Sequence, residues 1–128
     1  MSDYSKINLL DVDDSAKDNE NVEMRFARKH LDSRDLGITL SRYKPNFRSP
    51  MAHSHKVQEE AYVVVKGSGK MLLSDEVTDL KVWDVVRVAP ETTRAIEAGP
   101  EGIEIIAIGG PKPAEGDGVR QAPNWPSE

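Results

Sequence analysis

Two of the three histidines in this 128-residue chain, His53 and His55, are separated by one residue, and Glu60 follows them closely. On a strand, residues i and i+2 point to the same face, so both imidazoles can approach one ion from the same wall. Glu60 opens the most apolar stretch of the chain, where a carboxylate is costly unless it is paired, hydrogen-bonded or bound to metal. Two imidazoles and one carboxylate suit iron(II), manganese, nickel, zinc or copper.

The remaining composition narrows the chemistry further. The chain has no Cys, which excludes a disulfide framework, a thiolate zinc site, an iron–sulfur cluster and a cysteine nucleophile. The third histidine, His30, stands alone in the sequence and is predicted to be a surface or turn residue. A metal site in this protein must therefore be built from few imidazoles with help from carboxylates.

Net charge and hydropathy exclude two classes of partner. With 17 basic and 22 acidic residues the net charge is −5, which argues against binding to nucleic acid or to an anionic membrane surface. No apolar run approaches the roughly 18 residues that a membrane span needs. The start, MSDYSKINLL, lacks a basic region followed by an apolar core, so it does not read as a signal peptide. We expect a cytoplasmic protein.

The elements that must position these residues are short and apolar, and they recur between residues 22 and 110. Runs rich in Val, Ile and Tyr alternate with Gly, Pro, Asp or Ser, a rhythm typical of an all-β sandwich or barrel. Predicted strands cover 22–27, 36–43, 47–52, 60–66, 69–74, 76–82, 84–89, 93–98 and 103–109. Helix and strand compete over 24–31. The segment KGSGK (66–70) predicts a tight reverse turn, and Ser74–Asp75 predicts a second one.

Composition divides the chain into three parts. Residues 1–20 form an acidic N-terminal arm with six acids and two bases, and residues 21–110 form the barrel. Residues 111–128 form a Pro-rich C-terminal tail that is either extended and packed against the barrel or disordered. Trp125 favours docking of this tail, on its own barrel or on a partner subunit.

The spacing His53-x-His55-x4-Glu60-x6-Gly67 resembles the first motif of the cupin superfamily, and the Gly that usually precedes this motif is Phe47 here. The resemblance covers roughly residues 36–110. It implies a double-stranded β-helix, a jelly-roll barrel, with extended N- and C-terminal arms. It also implies that His53, His55 and Glu60 line the open mouth of the barrel as metal ligands.

The second cupin motif aligns with residues 83–98, but almost every anchor residue is changed. Trp83 replaces a Gly, Ala89 a Pro, Glu91 a second Gly, Arg94 the metal-binding His, and Ala98 an Asn. Three ligands are therefore carried over from the resemblance, and the fourth is not.

Arg94 cannot act as a ligand, because a guanidinium stays protonated and has no lone pair for a metal. If it points inward, it either holds a substrate carboxylate or phosphate by a bidentate pair or lies against Glu60 and competes with the metal. In the alternative register Arg94 points outward and Ala95 faces in. Gln58, as a neutral oxygen donor, and Tyr62, as a lining residue, are further predicted substrate contacts, although an aromatic residue is more often part of the core.

The resemblance leaves three functions open. The first is a metal-dependent enzyme, such as an oxygenase or an isomerase, acting on a small anionic molecule. The second is a metal-free ligand-binding or sensor domain, and the third is a structural dimer with a vestigial mouth. No pattern selects a reaction or catalytic residues. Cupins of this size commonly pair, which makes a homodimer the expected assembly.

Overall fold

A computed structural model describes residues 3–127, and the regular secondary structure within this range is almost entirely β-strand. One turn of 3₁₀ helix at Leu9–Asp11 precedes them. The strands are β1 (Val22–Phe26), β2 (Gly37–Tyr43), β3 (Ala52–His55), β4 (Glu60–Leu73), β5 (Glu76–Lys81), β6 (Val85–Val88), β7 (Arg94–Gly109) and β8 (Gly118–Gln121). No helix among these residues has the length and apolar character to cross a membrane.

Two long strands, β4 and β7, organise the barrel. They have 14 and 16 residues and pair antiparallel along most of their length. The first part of β4 also pairs with β6 and its second part with β5. The second part of β7 pairs with β2, whereas its first residue, Arg94, pairs with β3. The sheet therefore curls into two halves that share β4 and β7, with β1 and β8 at its ends.

The core lies between these two halves. It contains Tyr62, Val64, Met71, Leu80, Val88, Ile96, Ala98, Ile103, Ile105 and Ala107, contributed by β4, β5, β6 and β7. Their side chains come from alternating positions, as expected for strands with one buried face. The all-β jelly-roll architecture predicted from the sequence is confirmed.

The reverse turn predicted at residues 66–70 is wrong, because β4 continues through this segment. The pairing of β4 with β7 shifts register between Gly67 and Gly69, which marks an irregularity and not a reversal. Gly67 adopts φ +77, and a Cβ there would lie 2.1 Å from the carbonyl oxygen of Gly102. The glycines allow β4 to bend while it remains paired with β7. The predicted turn at Ser74–Asp75 is present.

The N-terminal arm is tied to β1 by one carboxylate. Asp14 Oδ1 accepts hydrogen bonds from the backbone N–H groups of Ala16 and Met24, both at 2.9 Å. These two hydrogen bonds lower the pKa of Asp14 below its usual value of 3.8. Nearby, Val12 is buried, so the arm contributes a hydrophobic contact as well. The segment 24–31, for which helix and strand were both predicted, begins in strand β1 and continues as turns.

The C-terminal segment includes a strand that the sequence did not predict. β8 pairs with β3 from Ala52↔Gln121 to His55↔Gly118. The strand expected at 47–52 lies later in the chain, as β3, and is only four residues long. Pro50 precedes it and has no N–H to donate to a ladder. The consequence for function is that β8 lies directly beside the strand that carries both histidines.

Candidate metal centre

His53 and His55 lie on the same face of β3, as the spacing predicts. Their rings are perpendicular, with centroids 5.1 Å apart. On one side β3 pairs with β8 at four positions, and on the other it pairs with β7 only at His53↔Arg94. A further backbone hydrogen bond, from His55 N–H to the carbonyl oxygen of Pro90, is 2.7 Å long. The strand that presents both imidazoles is thus held from two directions.

Glu60, the first residue of β4, brings a carboxylate to both rings. Its Oε1 lies 3.3 Å from Nε2 of His55 and 3.6 Å from Nε2 of His53. The Tyr62 hydroxyl donates a 2.6 Å hydrogen bond to the same oxygen. The side chains of His55 and Glu60 are 12% and 14% exposed, whereas that of His53 is 41% exposed. The cluster therefore opens to solvent on the His53 side.

The surroundings of Glu60 keep its carboxylate ionised. Burial alone would raise its pKa, but the nearby His53 ring, the Tyr62 hydroxyl and the positive charges of Arg94 and of His55 when its ring is protonated outweigh burial and lower the pKa to about 2. Burial and the neighbouring Glu60 carboxylate raise the pKa of Tyr62 well above its usual value of 10.0. Tyr62 is thus a neutral hydroxyl donor and Glu60 is an anion over the physiological pH range.

Asp117, just before β8, fixes the orientation of the His55 ring. Its Oδ1 lies 2.8 Å from Nδ1 of His55, and its Oδ2 accepts the backbone N–H groups of Val57 and Gln58 at 2.8 Å each. Burial raises the pKa of Asp117, but these hydrogen bonds outweigh burial and lower the pKa to about 2. An ionised carboxylate can only accept, so Nδ1 of His55 must carry the proton.

This tautomer leaves a lone pair on the other ring nitrogen of His55. Nε2 is buried and has no hydrogen-bond partner among the described residues. It faces the ionised Glu60 oxygen, so two acceptors point at each other unless a cation lies between them or the ring takes a second proton. The arrangement matches that of metal-ligating histidines, whose second nitrogen donates to a carboxylate.

The donor set fits a divalent transition metal. One ligand atom from each of His53, His55 and Glu60 lies within 4.8 Å of the others. Donors that surround one ion at about 2.1 Å are roughly 3 to 3.5 Å apart, close to the two Glu60–His distances. Two imidazoles and a carboxylate form the facial set that leaves other coordination positions open to water or substrate.

Arg94 points into the barrel. It is 1% exposed, and its pairing with His53 across β3 and β7 places the two side chains on the same face. Nη2 donates a 3.0 Å hydrogen bond to the Ala89 carbonyl oxygen. Nε and Nη1 are buried, and neither finds a hydrogen-bond acceptor within residues 3–127. No ion pair within 4.0 Å joins Arg94 to Glu60, both of which the structure describes.

The other residues singled out in the sequence lie in different surroundings. Gln58 is buried, and its Nε2 donates to the carbonyl oxygen of Gly110 at 3.0 Å. His30 lies 3.5 Å from the exposed carboxylate of Asp13, outside the cluster. Sequence reasoning missed Asp117, because it lies 57 residues beyond Glu60 in a segment without periodicity. Its signal, a lone Asp before Gly-Val-Arg, is too common to be recognised.

Fold and site together define a jelly-roll barrel with a two-histidine, one-carboxylate cluster at one end of its curled sheet. No family model and no curated protein matches the sequence significantly. Solved structures do match: a cupin protein from Bacteroides fragilis shares 22% identity with a TM-score of 0.73, with 89% of each chain covered. A nucleoside dehydratase described as a β-barrel shares 14% identity with a TM-score of 0.75, covering 91% of this chain and 90% of that one.

A variant of oxalate decarboxylase from Bacillus subtilis has a TM-score of 0.80 at 19% identity over 94% of this chain. This chain spans only 33% of that longer protein. At these identities the comparisons show the fold, and the fold is that of the cupins. The oxalate decarboxylase and the nucleoside dehydratase are named for different reactions, so the shared fold does not select one for this chain.

Proposed function

We propose that this protein binds a divalent transition metal through His53, His55 and Glu60 and uses the site to bind or transform a small anionic molecule. The observation that carries the proposal is the buried, unpartnered Nε2 of His55, which faces the ionised Glu60 carboxylate. Iron, manganese, nickel, zinc and copper all suit this ligand set. When bound, such an ion would act as a Lewis acid toward an oxygen of the ligand.

Other residues of the chain would orient the ligands and admit the small molecule. Tyr62 holds Glu60 through its hydroxyl, and Asp117 holds His55 through Nδ1. His53, the most exposed of the three proposed ligands, lies on the side from which a small molecule would enter. Gln58 stays a predicted contact, with its Nε2 already engaged by Gly110.

Arg94 supplies the reason to expect an anion. A buried guanidinium with two unpartnered nitrogens is costly, and a carboxylate or phosphate would satisfy both by charge-assisted hydrogen bonds. The oxalate decarboxylase among the structural neighbours acts on a small carboxylate, which agrees with this class of ligand. We propose a small carboxylate as the preferred ligand.

The metal assignment is tested by elemental analysis of untagged protein and by Zn²⁺ titration calorimetry. We expect close to one ion per chain in the wild type and loss of binding in a His53→Ala, His55→Ala double variant. His30→Ala is the matched control, since it removes the remaining histidine outside the cluster, and it should retain the ion. Retained metal in the double variant would show that the ligands are elsewhere.

The alternative function is a metal-free ligand-binding or sensor domain, which the unpartnered nitrogens of Arg94 alone support. Titration of chelated and Zn²⁺-loaded protein with oxalate and with inorganic phosphate separates the two. The metal-site proposal predicts that oxalate binds the loaded form more tightly, whereas equal affinity in both forms favours the alternative. An Arg94→Ala variant that gains metal affinity and keeps oxalate binding would identify Arg94 as a competitor of the metal.

The cytoplasmic location stays a prediction. We further propose a homodimer that buries the outer face of the sheet. Val85, Val63 and Ile106 are successive cross-strand partners on β6, β4 and β7, and they alternate with the core residues of these strands, which places them on the face opposite the core. Val85 is 63% exposed in the single chain. Sedimentation of wild type and Val85→Asp tests this interface: a dimer that the substitution dissociates supports it, and a monomeric wild type contradicts it.

A further inference from the structure

The C-terminal arm, residues 111–127, supplies most of the pairing of the strand that bears the histidines. β8 pairs with β3 at all four of its residues, whereas β7 pairs with β3 at one. A four-residue strand with a single neighbour along most of its length is held by that neighbour. The position of both imidazoles therefore depends on the docking of the arm.

Asp117 connects the arm to the segment that follows β3. Besides the His55 ring and the N–H groups of Val57 and Gln58, its backbone carbonyl accepts the Lys56 N–H at 3.1 Å. One residue of the arm thus binds four consecutive residues, 55 to 58. Its side chain is 2% exposed, so these hydrogen bonds are shielded from water.

Trp125 fastens the far end of the arm. It packs against the small hydrophobic cluster of Ala52, Leu72 and Ala95, which belongs to β3, β4 and β7. The guanidinium of Arg48 lies 4.7 Å from the centre of its ring. Ala52 begins β3, so the arm contacts the ligand strand at both ends.

We propose that Asp117 is a positioning residue that sets the His55 tautomer, so that docking of the C-terminal arm and binding of metal at His55 reinforce each other. The second half of this inference rests on the proposed metal site. Nδ1–H of His55 donates to Asp117, and Nε2 is therefore presented as a lone pair toward Glu60. Because coupling between two binding equilibria is reciprocal, metal should also stabilise the docked arm.

The substitution Asp117→Asn tests the tautomer without removing the side chain. The backbone N–H groups of Val57 and Gln58 require an acceptor, so the Asn oxygen should take their side and its NH₂ should face His55. His55 must then accept at Nδ1 and carry its proton on Nε2, which removes the lone pair from the metal site. Glu115→Gln is the matched control, because it makes the same change in charge at an exposed position of the same arm.

The experiment is ¹⁵N-histidine NMR of the chelated protein at alkaline pH, followed by Zn²⁺ titration. We expect the Nδ1–H tautomer of His55 in the wild type and in Glu115→Gln, and the Nε2–H tautomer in Asp117→Asn. Zn²⁺ affinity should fall about 10- to 100-fold in Asp117→Asn and stay unchanged in Glu115→Gln. An unchanged tautomer with unchanged Zn²⁺ affinity in Asp117→Asn would overturn the inference.

Protease protection tests whether bound metal stabilises the docked C-terminal arm. A glutamate-specific protease should cut after the exposed Glu115, and Zn²⁺ should slow this cut in the wild type but not in Asp117→Asn. A rate that Zn²⁺ leaves unchanged in a protein that binds Zn²⁺ would contradict the coupling. A wild type that shows the Nδ1–H tautomer, loses it in Asp117→Asn and yet binds no metal would refute the proposed function and leave the positioning role standing.

Discussion

Asp117 and Arg94 are both buried, with 6% and 1% of their surface exposed, yet their bonding differs sharply. The carboxylate of Asp117 accepts from His55, Val57 and Gln58, whereas the guanidinium of Arg94 makes one hydrogen bond, to Ala89. A buried charge whose bonds are complete contributes to structure. A buried charge whose bonds are incomplete is a candidate for binding something that the chain alone does not supply.

The largest effect on stability is expected from Asp117→Ala. It leaves His55 Nδ1 and the backbone N–H groups of Val57 and Gln58 without their acceptor at a largely buried site, and the free energy of unfolding should fall by about 3 kcal/mol. Urea denaturation of the chelated protein measures this. Glu115→Ala, in the same arm but exposed, should change the free energy of unfolding by less than about 0.5 kcal/mol. If Asp117→Ala lowers the free energy of unfolding by less than about 1 kcal/mol, Asp117 is not a structural buried charge and the contrast with Arg94 fails.

Arg94→Met should behave in the opposite way. The thioether side chain fills similar space without a charge, so we expect the free energy of unfolding to change by less than about 1 kcal/mol. Oxalate binding should be lost in the same variant. Arg87→Met is the control, because Arg87 is an exposed residue that pairs with Glu59, and oxalate affinity should be unaffected there. Severe destabilisation together with intact oxalate binding would make Arg94 a structural residue.

Asp14 allows the effect of hydrogen bonds on stability to be measured for a carboxylate that is not deeply buried. Like Asp117 it accepts two backbone N–H groups, but it does so near the surface. Its folded pKa lies below the usual value of 3.8, so its stabilising contribution is present above that pH and is lost as the pH falls through the lower folded pKa. The gap in unfolding free energy between wild type and Asp14→Ala should therefore close under acidic conditions.

At neutral pH this gap should be smaller than the one produced by Asp117→Ala. Urea denaturation from neutral pH down to about pH 3 measures it. Asp18→Ala, which removes an exposed carboxylate with no hydrogen bond to another described residue, serves as the control and should show no such trend. A gap for Asp14→Ala that is independent of pH would rule out the carboxylate as its source.

How far the sequence predicts this molecule depends on the range of the interactions. The spacing of His53, His55 and Glu60 is local, and it predicted the cluster that the structure brings together. The jelly-roll fold was predicted from the rhythm of short strands and from the family resemblance that this spacing carries. The bend of β4 at Gly67 was mistaken for a turn, because its cause is the approach of Gly102, 35 residues away along the chain. Local sequence cannot distinguish a glycine that reverses a strand from one that bends it.

Asp117 shows the same limit at the site itself. Its partners, His55 and the N–H groups of Val57 and Gln58, are known only once β8 is paired with β3. The Pro-rich composition of residues 111–128 left docking and disorder as alternatives, and only Trp125 favoured docking. Arg94 was identified through the family resemblance, but its unsatisfied nitrogens are a property of the packed barrel and have no signal in the sequence.

The most direct test of the metal site is a crystal structure of protein purified without chelator or added metal, with an anomalous difference map. We expect a peak bounded by Nε2 of His53, Nε2 of His55 and Oε1 of Glu60, at about 2.0 to 2.3 Å from each atom. The 2.8 Å contact between His55 Nδ1 and Asp117 should be retained. A map without a peak, in protein that also fails to take up soaked Zn²⁺ or Mn²⁺ at these atoms, would contradict the proposed metal site.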